Sequence, residues 1–478
     1  MPAKQIYSSR EIQLKKTTSV KRKRDMWNYF YELSFLTNNL YNRIMFIQRN
    51  HYTATQKVKE GVSLTSNEQG IWELVQKYDI KSSPSGYISK FEIEKLLRAS
   101  KDADYYALPG HVNTYVIWQV DAAFKGFFAA SKDYKAHPEK YNGRPRLPGY
   151  LQKGGQNVIS FDYCCCVIKT NKKGNYYLRF PKTDLIINLG KKPLPGKFKQ
   201  VKVVFDGILA KVFVITQGDY EVPEKPVTPK RVVAVDPGVK WFMAVTNNFG
   251  APNLLFSSHT MIESIETCDT RITVLVRAQN AGKKDQSPIS SPLYQSIWRK
   301  RNNYIKDTYH KFARILINFC LANNVDTLVF GHNKYWKQES NLGKELNRIF
   351  QQLPISEVMH TLKYLCERYG ITYIEHEESY TSKASFLDND PIPVYDPDAE
   401  VKPKFSGRRL NRDVYQASDG TRIHADLNGA ANILRKAVPD AFTVGEMPHF
   451  KDIIRVVSPD QNYNYSDLEG RILDQLPW

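Results

Sequence analysis

Two hydrophobic periods divide the chain. From Asp25, apolar residues recur at steps of three and four, with Leu33, Leu36, Leu40, Ile44 and Ile47 marking one helix face. The same period continues through FEIEKLLRAS and HVNTYVIWQVDAAFKGFFAAS to about residue 133. From RPRLPGYLQKGG onward the period drops to two. VISFDYCCCVIKT, YYLRFP, DLIINL, KQVKVVFD and AKVFVITQGDY are short, rich in β-branched and aromatic residues, and separated by Gly, Pro and Asn. With the strand KQIYSSREIQL at the start, they predict a small β-barrel domain from residues 1–24 and 134–222, carrying a helical insertion at 25–133.

Prolines 223, 226 and 229 in EVPEKPVTPKR mark a linker at 223–230. A second architecture follows. RVVAVDPG, WFMAVTNN and PNLLFSS read as three strands, and then a long helix spans about 291–323 with Ile305, Phe312, Leu316 and Phe319 on one face. The strand VDTLVFG, the helix SEVMHTLKYLCERYG, the strand ITYIEHE and the helix LNGAANILRK come next. The order βββαβαβα predicts an RNase H-like mixed sheet with helices over residues 231–438, and residues 439–478 are expected as a tail or cover.

Composition adds a partner. The 478 residues hold 68 Lys and Arg against 49 Asp and Glu, a formal charge of +19 and a pI near 9.4, with 29 Tyr, 23 Phe and 7 Trp. A long chain with that charge and that aromatic content points to nucleic acid before a membrane surface. No stretch approaches the ~20 apolar residues of a membrane span and no apolar run follows the first charges, so a cytoplasmic protein is expected. Six cysteines form no CxxC pair; Cys164, Cys165 and Cys166 are expected to alternate across a strand and to be buried as small hydrophobes.

Carboxylates supply candidate chemistry. Asp236 closes RVVAVDPG, where it could be a turn residue, and Asp426 opens DLNGAANILRK, where it could be a helix N-cap. In the proposed sheet the final helix crosses the first strand through the small residues Gly429, Ala430 and Ala431, which brings the two aspartates together. Paired carboxylates suit Mg2+, and phosphodiester hydrolysis by two ions about 4 Å apart needs a third acid. That acid is expected at the end of VDTLVFG, where Gly331 stands, followed by His332 and Asn333. The neighbouring strand ends in EHEES, and a Glu projecting from it could reach the space that Gly331 leaves. Alternation puts Glu375 and Glu377 on one face and His376 and Glu378 on the other.

DPGVK, YTSKASF and DLNGAANI at this spacing, preceded by RPRLPGYL, resemble the TnpB family of transposon-encoded RNA-guided nucleases, relatives of the type V CRISPR effectors. The resemblance covers nearly the whole chain and implies wedge and recognition domains followed by a RuvC nuclease domain. It also implies a guide RNA from the transposon end, a double-stranded DNA target beside a short transposon-adjacent motif, and Mg2+-dependent cleavage leaving 5′ phosphate and 3′ hydroxyl ends. Asp236 and Asp426 match the first and last RuvC aspartates. Gly331 falls at the family's glutamate, and Glu378, with Glu377 second, is the expected replacement, as in a subgroup with a rearranged site. Where the family has two CxxC pairs, this chain has Ala384 and Leu387, then Gln416 and Asp419, so residues 384–425 are expected to form a loop or hairpin without zinc.

Lys21, Arg22, Lys23 and Arg24 could grip a guide–target duplex by its phosphates or be a solvated run before a helix. Arg144 and Arg146, on a segment kept extended by Pro145 and Pro148, are expected to face nucleic acid. Lys334, Trp336 and Lys337 could contact it near the site, or Trp336 could be buried. The leading expectation is a monomeric RNA-guided DNA endonuclease using two Mg2+ ions. A nuclease-inactive RNA-guided repressor or targeting factor, and an RNase H-like resolvase or transposase without guide RNA, are the alternatives.

Overall fold

The computed structural model describes residues 4–15, 21–181, 183–206, 209–220, 229–283, 287–289, 291–332, 344–394 and 403–458. Its chain divides into two compact units, Lys4–Asp219 and the stretch beginning at Tyr220.

The first unit opens with β1 (Lys4–Lys15) and continues with α1 (Lys21–Lys59), α2 (Ser66–Lys77), α3 (Lys90–Ala99), α4 (Ala103–Ala107) and α5 (Val112–Ala136). Strands β2 (Ile159–Asp162), β3 (Val167–Thr170), β4 (Tyr176–Arg179), β5 (Ile186–Gly190), β6 (Lys197–Asp206) and β7 (Leu209–Tyr220) complete it. Helix α1 buries Leu33, Leu40, Ile44 and Ile47, and starts early enough to take Lys21–Arg24 into its first turn. Thr65 begins α2 with a capping box to Glu68, satisfying two otherwise orphaned backbone donors. The strands hydrogen-bond as two sheets, in the orders β1-β7-β6-β2 and β3-β4-β5; closure into one barrel is not among the described pairings. Phe30 of α1 packs against Phe161 and Phe180 at ring distances of 6.1 and 5.0 Å, joining helices and strands in one core.

The three cysteines do not alternate across a strand. Cys164, Cys165 and Cys166 lie in the turn between β2 and β3, because the Asp162 carbonyl accepts the N–H groups of Cys165 and Cys166, both at 3.1 Å. Cys164 is exposed, Cys165 half-buried and Cys166 buried, so burial holds for one of them only.

The second unit runs β8 (Val232–Asp236), β9 (Trp241–Asn247), β10 (Asn253–Ser257), α6 (His259–Gln279), α7 (Pro292–Ala322), β11 (Thr327–Gly331), α8 (Lys344–Gln352), α9 (Ile355–Tyr369) and β12 (Thr372–His376). The short strands β13 (Arg408–Arg409), β14 (Val414–Gln416) and β15 (Arg422–His424) follow, then α10 (Ala425–Ala437), α11 (Ala441–Val444) and β16 (Ile453–Val456). The central sheet has the order β12-β11-β8-β9-β10-β16. Strands β8, β9 and β10 form an antiparallel meander, while β11 and β12 lie parallel on its other side. That is the RNase H-like arrangement with a sixth strand, β16, drawn from the segment expected as a tail and paired parallel to β10.

Strand alternation assigns faces. Val233 and Val235 of β8 point to the core shared with α7 and α9, and Val232 and Ala234 point to Ile433 and Leu434 of α10. By the same parity, Asp236 belongs to the α10 side. On β11, Val329 packs towards Ile433 and puts Gly331 on that side; on β12, Ile374 does the same for His376 and, beyond the strand, Glu378. Helix α6 goes beyond the predicted order. Its sequence is rich in Thr and Ile, weak helix formers, and buries only Met261, Ile265 and Cys268, one residue per turn.

Candidate active site

Four fully buried residues lead β8 to Asp236, after which the buried Pro237 and then Gly238 end the strand. Helix α10 lies across this end of the strand on a face of buried small residues, Gly429, Ala430 and Ala431. A Cβ at Gly429 would collide with the Asp236 Oδ2 atom, so the helix backbone can reach the carboxylate only because position 429 has no side chain. Asp426 is three residues earlier and therefore on the same side of the helix. It is not the N-cap: His424 holds that position, and its ring accepts the Asp426 N–H at 3.3 Å. Burial pushes the Asp236 carboxyl well above the usual range, and the charges of Glu378 and then Asp426 push it further. The structure thus brings the three acids into one electrostatic field.

Glu378 occupies the gap at the end of β11. Gly331 pairs with His376 of β12, and Glu378 follows two residues later. A Cβ on Gly331 would stand 2.8 Å from Glu378 Oε2 and 2.5 Å from Ile433 Cδ1. The Oε2 atom is buried and has no hydrogen-bond partner among the described residues. Burial, with Glu377 adding to it and Lys436 opposing, pushes this carboxyl up to about 7.

The neighbouring acids are engaged elsewhere. Burial would raise Glu377, but Lys436 Nζ donates to its Oε2 at 2.6 Å and the Ser379 N–H to its Oε1 at 2.6 Å, which together hold it below the usual carboxylate range. Glu375 is exposed and accepts from Lys363 of α9 at 3.1 Å, on the face of the sheet away from α10. Of the acids at this strand end, Glu378 alone carries a buried, unpartnered oxygen among the described residues.

The turn that aims Glu378 is latched to α10. Tyr380 takes the left-handed conformation, with φ of 64°, and Thr381 Oγ1 donates back to the Glu378 carbonyl at 2.7 Å. From the fully buried Asn432, Nδ2 donates to the carbonyls of Thr381 and Ala384 at 2.8 and 2.7 Å. Asn428 Nδ2 donates to Ala384 at 2.8 Å while its Oδ1 accepts the Phe386 N–H at 3.0 Å. YTSKASF and DLNGAANI are therefore two halves of one hydrogen-bonded assembly.

Arg409 was missed by sequence reasoning. It sits in β13, and its guanidinium donates to Asp426 Oδ1 at 2.8 Å. Nothing in the spacing of GRRLNRD separates it from the other arginines there; only the fold does. As the side chains stand, no group of three or more His, Cys, Asp or Glu among the described residues is arranged to hold a metal ion. The donor set at the carboxylates is nonetheless all oxygen, and the bare Glu378 Oε2 is the kind of ligand a hard cation takes. At the expected zinc-free segment, Ala384 is buried, Gln416 lies in β14 and Asp419 accepts the Thr421 N–H at 2.8 Å. Leu387 packs against Tyr415, Ile423 and Ala425.

Lys21, Arg22, Lys23 and Arg24 are exposed, as are Arg144 and Arg146, which lie on a stretch without regular secondary structure. Lys334, Trp336 and Lys337 fall outside the described residues. A cationic face that sequence reasoning passed over lies on the sheet β3-β4-β5. Register places Lys169 opposite Tyr177 and Val167 opposite Arg179, and the loop between β3 and β4 adds Lys172 and Lys173. Lys169, Lys172, Lys173 and Arg179 are all exposed, and their charged groups make no ion pair among the described residues. No helix among the described residues is long and apolar enough to cross a membrane.

Solved structures with a similar course include a Cas12f1–sgRNA–target DNA complex, 12% identical and with a TM-score of 0.32, covering 89% of this chain and 98% of that one. Another is the mini-RNA-guided endonuclease CRISPR-Cas phi3, 10% identical with a TM-score of 0.41, covering 90% and 92%. A "TnpB-like protein ORF457" of Acidianus two-tailed virus is 29% identical over 142 residues, 30% of this chain, and the chain spans 27% of that relative's length. The family model described as OrfB_IS605, probable transposase, matches residues 216–337, and the one described as Cas12f1-like, TNB domain, matches residues 356–433. Between them these matches take in Asp236, Gly331, Glu378 and Asp426, on or beside the RNase H-like sheet, and over those stretches the chain is similar to TnpB-type proteins.

Proposed function

We propose that this protein is an RNA-guided DNA endonuclease in which Glu378 replaces the acid that Gly331 lacks. The observation that carries the reading is the seat of Glu378 Oε2 at the place where a Gly331 side chain would begin. Asp236, Glu378 and Asp426 would hold Mg2+, which when bound activates water and stabilises the leaving 3′ oxygen. The chain's own contribution is to bury and aim these carboxylates before substrate arrives. Gly429 lets α10 close on Asp236, and the Asn428 and Asn432 latch fixes the Glu378 turn. Arg409, with a guanidinium fork at the mouth of the site, is suited to a phosphate oxygen once Asp426 turns to a cation.

Guide RNA and double-stranded DNA next to a transposon-adjacent motif are the proposed partners. Four cations in and beside the first turn of α1 oppose the helix dipole, so helix stability does not call for Lys21–Arg24 there, and phosphate contact does. The β3-β4-β5 face, with Tyr177 between Lys169 and Arg179, supports a single-stranded stretch of RNA.

A second reading, an RNA-guided binder without cleavage, is favoured by the Arg409–Asp426 pair, in which a side chain already neutralises one acid. The test supplies cognate RNA, matched duplex and Mg2+. Cleavage that is lost in Glu378→Ala and kept in Glu377→Ala supports the proposal. Cleavage surviving in the double variant removes Glu378 from it, and no cleavage by the unaltered protein favours the binder.

A further inference from the structure

Away from the carboxylates, α6 and α7 enclose a cleft of about 370 Å³. Helix α6 turns towards it a stripe at helical spacing from Thr260 to Arg271, and α7 one from Ile297 to Tyr304. Two packed helices ordinarily meet on apolar side chains; here both stripes are largely polar, and three cations, Arg271, Lys300 and Arg301, face one acid, Glu263.

Arg301 makes no ion pair among the described residues. Its Nη1 donates to Asn302 Oδ1 at 2.8 Å and its Nη2 to Gln352 Oε1 at 2.6 Å, both neutral amides, and the guanidinium lies 5.3 Å from the Trp298 ring. Burial pushes its pKa down, and the nearby Asp269 charge opposes that only in part. The nearby Asp269 carboxylate is taken by Arg348. Arg301 Nε and Thr260 Oγ1 are buried polar atoms without partners among the described residues. At the mouth, Arg271 and Lys300 are exposed and make no ion pair among the described residues, and Tyr304 is 38% exposed.

We infer that this cleft is a second binding site, for a phosphate that carries a planar group, as a nucleotide does. Arg271, Lys300 and Arg301 neutralise the phosphate, Tyr304 supplies a ring face for the base, and the volume lies within the range of small-ligand sites. The site is independent of the carboxylate cluster and goes beyond the nuclease reading. The phosphate can come from a free nucleotide or from one residue of a strand.

The test is calorimetric titration of the full chain with adenosine 5′-monophosphate, inorganic phosphate and a short oligothymidylate. The monophosphate should bind at one site, more tightly than inorganic phosphate. Combining Arg271→Glu with Lys300→Glu, both exposed positions, should weaken it by at least about tenfold with the melting temperature unchanged. Tyr304→Ala should weaken the monophosphate and not inorganic phosphate. Displacement of the monophosphate by oligothymidylate assigns the site to a strand, and its absence assigns a free nucleotide. Oligothymidylate binding that falls in the charge-reversed variant, with no monophosphate binding, also assigns a strand. If the double variant binds monophosphate and oligothymidylate as the unaltered protein does, or if neither probe binds, the inference is overturned.

Discussion

Glu378 and Gly331 share one volume: a methyl group on position 331 would stand 2.8 Å from the Glu378 Oε2 atom. Gly331→Ala should therefore displace the carboxylate and press on Ile433, lowering cleavage by about tenfold or more and costing about 1–3 kcal/mol of stability. The paired exchange Gly331→Glu with Glu378→Ala, which returns an acid to β11, should recover part of the activity that Glu378→Ala removes. Cleavage assays on the three variants with thermal melts check both statements.

Lys436 is expected to decide which glutamate enters the site. It holds Glu377 at 2.6 Å and the Ser379 carbonyl at 3.1 Å with a side chain only 9% exposed. Lys436→Met should free Glu377 to compete for the position of Glu378. The turnover rate should fall by about tenfold and more Mg2+ should be required, while DNA affinity stays; Lys436→Arg should restore part of the loss. Equal losses in both variants would reduce Lys436 to a packing role.

Beside the raised Asp236, Glu378 adds its own part to the pH dependence of the metal-free protein. Its carboxyl titrates at about 7 when folded, against an ordinary value of 4.5, so the folded state binds the extra proton. Stability from this group is complete below the unfolded value and falls as pH rises towards about 7. In EDTA the melting temperature should drop across that window, and Mg2+ should raise it more at pH 8 than at pH 5. In Glu378→Gln this part of the pH dependence should vanish.

The latch between α10 and the Glu378 turn should show in stability before activity is considered. Asn428→Ala strands the buried Phe386 N–H, a loss of about 2 kcal/mol, read by chemical denaturation. Leucine at 428 should be no better, since the stranded donor remains.

RNA affinity should carry the signature of the β3-β4-β5 face. Replacing Lys169, Lys172, Lys173 and Arg179 by alanine should flatten the dependence of log affinity on log salt by up to about 0.7 per lost phosphate contact. RNA binding whose slope is unchanged would place the strand elsewhere.

Much of the six-stranded sheet could be read from the chain because its strands announce themselves as runs of Val, Ile and Phe, and because period two fixes which side each residue faces. Parity put Glu375 and His376 on opposite faces, as Ile374 packing towards α10 and Glu375 pairing with Lys363 of α9 show; past the strand end it no longer holds, since Glu377 also reaches Lys436 of α10. Helix α6 was not legible, since its buried stripe is one residue per turn among β-branched residues. Arg409 was hidden for a different reason. Its contact with Asp426 depends on how β13, β14 and β15 fold back on α10, a long-range outcome that no local spacing encodes.

Because β11 and β12 run parallel and in register, with Gly331 beside His376, the end of either strand opens onto the same point beside Asp236. A carboxyl group 47 positions further along the chain, at 378, thus sits where a side chain at 331 would begin. A search for an acid at one column of an alignment finds only Gly331 here; a search by position in the folded sheet finds Glu378.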